Sequence, residues 1–469
     1  MRIPPAATML PLDELGTVHL VGIGGAGLSA IARLLAQQGV RVQGSDAQDS
    51  VVLESLRAEG IECFVGQAAE NIGDAATVIA STAVREDNPE IREAYKRGLR
   101  LWPRSSGLMA AMQDDKRVAI SGTHGKTTTT AMTTCAVRAA GLDPSFAIGA
   151  SVAALGTNAK RGTSPVMVVE ADESDGAFLH YAPAVAVITN VDADHLDVYG
   201  SVEAYENAFV EFLGTVTESV VLCADDPVAC RLSERVPAGL RVRTAGFEPG
   251  ADVLGSGLEV VGARTRFRIT TSEASVDCEL SVPGIHYARD ALLAVAAGVE
   301  LGLDLERLVA GLADYTGADR RMQTVAELTY HGGEVLIIDS YAHHPSEIRA
   351  DIAAARQVAG QRRLVVVFQP HLVSRTRVFG ARMGEELSAA DLVVLADLYI
   401  AREDPDPQVT TQRVADTVSG TDVVLAGPVS STHLVVAEHV RPGDVVLTLG
   451  AGDITEVGPR LAQVLGAGA

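Results

Sequence analysis

The chain has 469 residues, too many for one ordinary domain, and at about 150 residues per domain it predicts two to four. Its 38 Lys and Arg stand against 60 Asp and Glu, a formal charge of −22 with no local basic cluster, which argues against nucleic acid and anionic membrane as partners. Five scattered cysteines without C-x-x-C spacing read as small buried residues of a reducing compartment, and Met1 to Leu15 shows neither a secretion signal nor a membrane span, so a soluble cytoplasmic protein is expected.

Val18 to Val21 predicts a strand, followed by the loop Gly22-Ile23-Gly24-Gly25-Ala26-Gly27 and a helix over Leu28 to Gln38. The next strand, Val40 to Ser45, leads into Asp46. This is the dinucleotide-binding pattern, in which glycines bring a pyrophosphate close to the backbone and an acid about 20 residues on holds a ribose hydroxyl. Such a loop recognises the pyrophosphate and not the base, so a nicotinamide dinucleotide and a UDP-sugar both remain open. Thr77 to Ser81 adds a further strand, and this first block closes near Pro103.

A second block opens at Val118 with V-A-I-S-G-T-H-G-K-T-T-T-T, an apolar strand that enters a glycine-bounded loop and then a helix. Gly122 and Gly125 let backbone N–H groups face phosphate oxygens, Lys126 reaches the β and γ phosphates, and the Thr127 hydroxyl holds Mg²⁺. Ile120 stands where the longer form of this pattern has glycine. Strands are expected at Val166 to Glu170, Val185 to Asn190 and Val220 to Cys223. Behind two of them come acids: Glu170, Asp172, Glu173 and Asp175 after the first, and Asp192, Asp194, His195 and Asp197 after the second. Hydride transfer needs no such cluster. Magnesium bridging nucleotide phosphates needs protein carboxylates, and a neutral imidazole at His195 completes a second metal position.

Between Gly239 and Val282 the pattern turns to period two, as in Thr265 to Ile269 and Val276 to Leu280, which predicts an antiparallel insert. A third block carries strands at Val335 to Asp339, Leu364 to Phe368, Leu392 to Leu395, Val423 to Ala426 and Val445 to Leu449. The alternation of strands and helices predicts an α/β protein of three domains with mainly parallel sheets, divided at 1–106, 107–320 and 321–469.

Taken in order, G-I-G-G-A-G, G-S-D, D-N-P-E, G-T-H-G-K-T-T-T, E-A-D-E-S-D, D-H-L-D-V-Y, P-G-I-H, Y-A-H-H-P-S-E and F-Q-P-H resemble the Mur ligases over about residues 17 to 455. Within that family the chain is most similar to the branch that adds L-alanine to UDP-N-acetylmuramate. The resemblance implies a Rossmann-like N-terminal domain for the UDP-sugar, a central P-loop ATPase domain, and a dinucleotide-binding-like C-terminal domain that closes over the active site. It implies ATP and Mg²⁺, an acyl-phosphate intermediate, a role in peptidoglycan precursor synthesis, and a monomer or homodimer.

By the same resemblance, Gly122, Thr123, His124, Gly125, Lys126, Thr127, Thr128, His286 and Asp290 take ATP, and Thr127, Glu170 and His195 hold metal. Gly22, Ile23, Gly24, Gly25, Ala26, Gly27, Ser45, Asp46 and Arg104 take the UDP-sugar, while Tyr341, His343, His371, Arg375 and Arg377 take the amino acid. Lys126, Glu170, His195, Arg321, His343 and His344 are the implied catalytic group. The chain departs from the family pattern in three places, and a fourth difference fits the alanine-adding branch. Tyr287 and Asp290 stand in the adenine-contacting H-N-x-x-N, Ser340 replaces the second of two aspartates, Leu372 replaces an arginine, and Ala208-Phe209 lies where branches adding later amino acids carry a carbamylated lysine.

Overall fold

The computed structural model describes every residue except 1, 2, 4, 5, 7, 82, 83, 113, 175, 402, 468 and 469, together with the side chain of Asp197. Asp175, the last acid of its motif, therefore lies outside the described residues, and so does the carboxylate of Asp197.

The first sheet is built from β1 (Val18–Val21), β2 (Val42–Asp46), β3 (Glu62–Val65), β4 (Thr77–Ala80) and β5 (Arg100–Pro103). All pairings are parallel, in the order β3-β2-β1-β4-β5. The chain reverses direction between β1 and β4, and in an open α/β sheet the crevice at that reversal is where ligands bind. The helices are α1 (Ala26–Gln37), α2 (Val51–Ala58), α3 (Pro89–Lys96) and α4 (Arg104–Ala111). Local chemistry sets their starts: Ser50 Oγ accepts from Leu53 N, and Asn88 accepts from Glu90 N and Ile91 N with Pro89 at the first helical position.

This sheet buries a polar network along with its apolar residues. Glu90, wholly buried, accepts from Ser45 Oγ at 2.5 Å and Asn71 Nδ2 at 2.7 Å, and lies 3.3 Å from His19 Nε2. Gln43 continues the chain to His19 Nδ1 at 3.2 Å and to the carbonyl of Asn71 at 2.8 Å.

The second sheet uses β6 (Lys116–Ser121), β7 (Ser145–Val152), β8 (Thr157–Lys160), β9 (Val166–Glu170), β10 (Val185–Ile188), β11 (Ser219–Cys223), β12 (Arg241–Gly246), β13 (Val253–Val261), β14 (Arg264–Thr270) and β15 (Ser275–Leu280). Its order is β15-β14-β13-β12-β11-β10-β6-β9-β7-β8, so β6 has β10 on one side and β9 on the other, a second reversal point. The stretch expected to be an antiparallel insert from Gly239 begins otherwise, because β12 pairs with both β11 and β13 in parallel. The two-residue connection from Val261 to Arg264 and the four-residue one from Thr270 to Ser275 impose hairpins, links too short for a parallel crossover.

After β6 comes α5 (Lys126–Ala139), whose sequence K-T-T-T-T-A-M-T-T is poor in strong helix formers. Three of its threonines satisfy their hydroxyls by bonding back one turn: Thr130 Oγ1 to Lys126 O, Thr133 Oγ1 to Thr129 O and Thr134 Oγ1 to Thr130 O, at 2.7 to 2.8 Å. Polar side chains thereby become buriable against the sheet.

The third sheet comprises β16 (Gln323–Tyr330), β17 (Gly333–Ser340), β18 (Leu364–Phe368), β19 (Leu392–Ala396), β20 (Asp422–Gly427) and β21 (Val445–Leu449), ordered β16-β17-β21-β18-β19-β20. All pairs are parallel except β16 with β17. Side-chain alternation divides its core between two faces: Leu336, Ile338, Leu364, Val366 and Phe368 pack on one, and Val335, Ile337, Val365 and Val367 on the other.

By contacts the chain forms two compact units, one of Met1–Ser256, Arg268–Cys278 and Arg289–Tyr315, the other of Gly257–Phe267, Glu279–Ala288 and Thr316–Ala469. The first two sheets belong in the main to the first unit and the third sheet to the second. Among the described residues no helix is long and apolar enough to cross a membrane.

Burial alone would push the Glu90 carboxyl up, but hydrogen bonds from His19, Ser45 and Asn71 outweigh it and the pKa falls below the ordinary 4.5. A carboxyl lowered by folding stabilises fully above its unfolded value, and that contribution is lost as pH falls through the folded value. Glu90→Gln should therefore lower the melting temperature at pH 7 and flatten its acid limb below about pH 4.5, as thermal melts at stepped pH would measure.

Candidate functional site

The glycine loop after β1 is tied down from below. Gly22 N and Ile23 N both donate to the carbonyl of Ser45, at 2.8 and 2.9 Å, and Gly24 N donates to Asp46 Oδ2 at 2.9 Å. A Cβ on Gly24 would stand 2.7 Å from Leu53 Cδ1, so glycine is required by packing as well as by any ligand. Two of the residues expected to take the UDP-sugar turn their side chains inward. The Ile23 side chain is buried in the core and its N–H is spent on Ser45, while Ser45 Oγ is turned down onto Glu90, so both residues support the loop from inside. Asp46 likewise holds the loop through one carboxylate oxygen.

Gly27, in the first turn of α1, lies against Arg104 at the start of α4, where a Cβ would approach Arg104 Cδ to 2.9 Å. From there Arg104 Nη2 reaches Asp172 Oδ2, in the loop after β9, at 2.9 Å. The first sheet's loop and the second sheet's acids are thus joined inside one unit. Burial works against the Asp172 charge, but Arg104 and then Lys126 hold its carboxyl well below the usual range.

In the loop after β6, Gly122 has φ +132° and Gly125 φ +79°, conformations that side chains resist. Residues at the end of β10 buttress it. Thr123 N donates to Asn190 O at 3.0 Å, His124 N to Asn190 Oδ1 at 2.9 Å, and Thr189 Oγ1 to His124 O. Thr123 Oγ1 also meets Tyr205 OH at 2.8 Å and accepts from Asp192 N at 2.9 Å. The N–H groups of Thr123 and His124 are therefore occupied, and anion-binding capacity moves to the first turn of α5. That turn has no side-chain cap, so its uncapped donors and dipole suit a phosphate. Thr127 and Thr128 are buried in it, and Asp290, from the helix Ile285–Glu300, packs directly on Gly125.

Lys126 leaves this turn and folds back. Its Nζ donates to Gly122 O at 2.7 Å, to Thr123 O at 3.0 Å and to Glu173 Oε1 at 3.1 Å, with Glu173 Oε2 at 2.8 Å. Burial works against the lysine charge, yet Glu173, Asp172 and Glu170 outweigh it and the pKa is raised. Burial pushes the Glu173 carboxyl up, with Lys126 opposing. His195, held in the left-handed region at φ +52°, places Nε2 3.6 Å from Glu173 Oε1 and 3.7 Å from Asp194 Oδ2. Glu170 ends β9 with Oε2 accepting from Gly149 N at 2.7 Å. Thr127, Glu170 and His195 offer a hydroxyl, a carboxylate and an imidazole, donor types that suit a hard divalent cation.

Sequence reasoning quoted Glu173 and Tyr199 without giving them roles, and missed Tyr205. Tyr205 lies on the helix Val202–Leu213 at spacing with Phe209 and Phe212, which reads as a core stripe. Burial, and next to it Glu173, push its phenol up, so it stays a hydroxyl donor toward that carboxylate.

The second unit gathers another polar group. Arg320 and Arg321 place their guanidinium carbons 4.9 and 5.2 Å from the Tyr341 ring centre. His343 Nδ1 is 2.9 Å from Tyr341 O and its ring is 5.8 Å from His371, which stacks on Tyr399 and has Nδ1 3.3 Å from Arg375 Nη1. His286 Nε2 lies 3.9 Å from Asp351, the residue to which Ser340 Oγ donates. His344 is wholly buried, and its Nδ1 accepts from Ser346 N to cap the helix Pro345–Ala359. Arg377 pairs with Asp406 at 2.6 Å on the surface.

Residues 17–116 match the model of the Mur ligase family, catalytic domain, 120–298 that of the Mur ligase middle domain, and 320–452 that of the Mur ligase, glutamate ligase domain. The chain is similar to a UDP-N-acetylmuramate--L-alanine ligase of Nocardioides sp., at 50% identity over 99% of this chain and 100% of that one. A ligase of the same name from Thermobifida fusca is 45% identical over 97% and 98% of the two chains. Among solved structures, the UDP-N-acetylmuramate-alanine ligase of Thermotoga maritima superposes with a TM-score of 0.81 at 28% identity, covering 97% of this chain and all of its own. A murein peptide ligase from Psychrobacter arcticus, at 21% identity and TM-score 0.73 over 96% and 99%, shares the fold.

A Cβ at Gly122 would fall 2.1 Å from Thr189 Oγ1 at a φ that alanine resists. Gly122→Ala should cost about 2 kcal/mol of stability and displace the loop, read as a lower denaturation midpoint together with weakened nucleotide binding in a titration.

Proposed function

The chain belongs to the Mur ligase family, and from that membership we propose that it is an ATP-dependent, ADP-forming ligase joining L-alanine to the lactyl carboxylate of UDP-N-acetylmuramate, in the synthesis of peptidoglycan precursors. The observation that carries this is the presence in one unit of two glycine loops at sheet reversal points, linked through Arg104 and Asp172. One loop suits the nucleotide of the carboxylate donor and the other suits the phosphoryl donor. The names of the relatives at 45 to 50% identity support the same substrates.

The lactyl carboxylate attacks the γ-phosphorus of ATP and ADP leaves, giving an acyl phosphate. The amine of L-alanine then adds to the acyl carbon, phosphate departs and the amide forms. Positioning and charge neutralisation dominate the first step. We assign Lys126 and the first turn of α5 to the γ-phosphate, and the glycine loop after β1, with Asp46 and Arg104, to the UDP-sugar. Magnesium, when bound, neutralises phosphate charge; Thr127 and Glu170 would hold it, with His195 at a second position. Asp290 and His286 are assigned to the adenosine side, Arg321 to phosphate, and Tyr341, His343, His371 and Arg375 to L-alanine. The domains divide at 1–106, 107–320 and 321–469, and the protein works in the cytoplasm as a monomer or homodimer.

Phosphate release from ATP and Mg²⁺ should require both UDP-N-acetylmuramate and an amino acid, and should be fastest with L-alanine. Glycine and L-serine differ from it by one small group, worth about 1 to 3 kcal/mol. Release with UDP-N-acetylmuramate and an alanyl tripeptide, and none with single amino acids, would move the protein to peptide recycling. Lys126→Ala should lower turnover by at least about 100-fold while leaving UDP-sugar affinity, measured by calorimetry, within about twofold. A matching loss of sugar affinity would contradict the division between the loops.

A further inference from the structure

The motif E-A-D-E-S-D brings several carboxylates to the end of β9, and one of them has no part in the assignments above. Glu173 is wholly buried, yet its side chain meets three polar groups: Lys126 Nζ at 2.8 Å, Tyr205 OH at 3.3 Å and His195 Nε2 at 3.6 Å. Its main-chain carbonyl accepts from Tyr199 OH, so the residue is fixed at both ends. A carboxylate in such a place is costly unless its partners are charged and well aimed. Lys126 has three N–H donors, and here they go to Gly122 O, Thr123 O and Glu173. The ammonium is closed down on its own loop, and an entering phosphate must take it from one of these acceptors.

We propose that Glu173 is a positioning residue that holds Lys126 in place of the γ-phosphate while the loop is without nucleotide, surrenders it when phosphate enters, and then keeps its carboxylate on His195. One buried carboxylate thus serves both the phosphate lysine and the metal-side histidine. Tyr205 ties the same carboxylate to the loop, because its hydroxyl also meets Thr123 Oγ1 at 2.8 Å. Asp172 and Glu170 still act on Lys126 when Glu173 is neutralised, so the lysine does not lose all opposing charge.

This rests on Lys126 as the phosphate lysine and not on the identity of sugar or amino acid. The test is ATP binding to the full chain without divalent metal, in EDTA, by calorimetry, alongside turnover with Mg²⁺. Glu173→Gln removes the competing charge, so metal-free ATP should bind about tenfold tighter than to the wild type. With Mg²⁺ the same variant should lose at least about tenfold in kcat, because His195 keeps only Asp194 of the two carboxylates beside it. Glu173→Asp keeps the charge on a shorter arm and should bind metal-free ATP about threefold tighter. If Glu173→Gln does not fold, Glu173→Asp carries the test.

Unchanged metal-free affinity in a folded variant would overturn the proposal. So would weaker ATP binding together with a lower melting temperature, which marks a merely structural residue. A wild-type chain that binds no ATP with or without Mg²⁺ would instead refute the assignment of the loop itself.

Discussion

A full positive charge withdrawn from water needs compensation at every hydrogen, and the loop after β6 is arranged around that requirement. The Lys126 ammonium is met by two loop carbonyls and a buried carboxylate. To present those carbonyls the loop adopts positive φ at Gly122 and Gly125, and to keep that shape it leans on Thr189, Asn190 and Tyr205 from neighbouring elements. The placement of β10 beside β6, the turn into α5 and the acidic loop after β9 all serve one cation. The sheet order is what makes this possible, since β9 and β10 flank β6 and deliver their carboxyl ends to the same rim.

The first sheet handles the opposite charge by a similar route. Glu90 is placed below the first glycine loop, and Ser45 transmits its position upward: the hydroxyl is bound to Glu90 and the carbonyl receives two loop N–H groups. The motif D-N-P-E thereby acquires a physical meaning. Asparagine caps α3, proline starts it, and the glutamate enters the core as the anchor of a network reaching His19 and Gln43. Both glycine loops rest on a buried glutamate from a different element.

Much of this was legible in the residues. Apolar runs such as Val-His-Leu-Val and Leu-Val-Val-Val-Phe announce strands buried on both faces, and G-K-T behind such a run announces a phosphate loop. The α/β class with mainly parallel sheets followed from that alternation. Edge strands were harder: Glu62–Val65 and Gln323–Tyr330 are half exposed and lack a continuous apolar signal. The parallel character of Arg241–Gly246 depends on which strand lies beside it, which no local pattern encodes. Side-chain direction was equally hidden. Ser45 and Asp46 are adjacent, yet one points into the core and the other to the loop, and only the pleat decides which. Glu173 and Tyr205 are 32 residues apart and meet through the fold alone.

The contact between Arg104 and Asp172 differs in kind from the buried pairs around it. Its side chains keep 24% and 29% of their surface in solvent, so water stands ready to replace either partner. Ion pairs with such access to solvent are worth about 0 to 1 kcal/mol and weaken with salt. The joint between the two loops is consequently a reversible coupling: an incoming anion of modest charge can recruit the guanidinium without disturbing the core beneath it. Ionic strength, more than temperature, would then set how tightly the start of α4 and the acidic loop after β9 hold together.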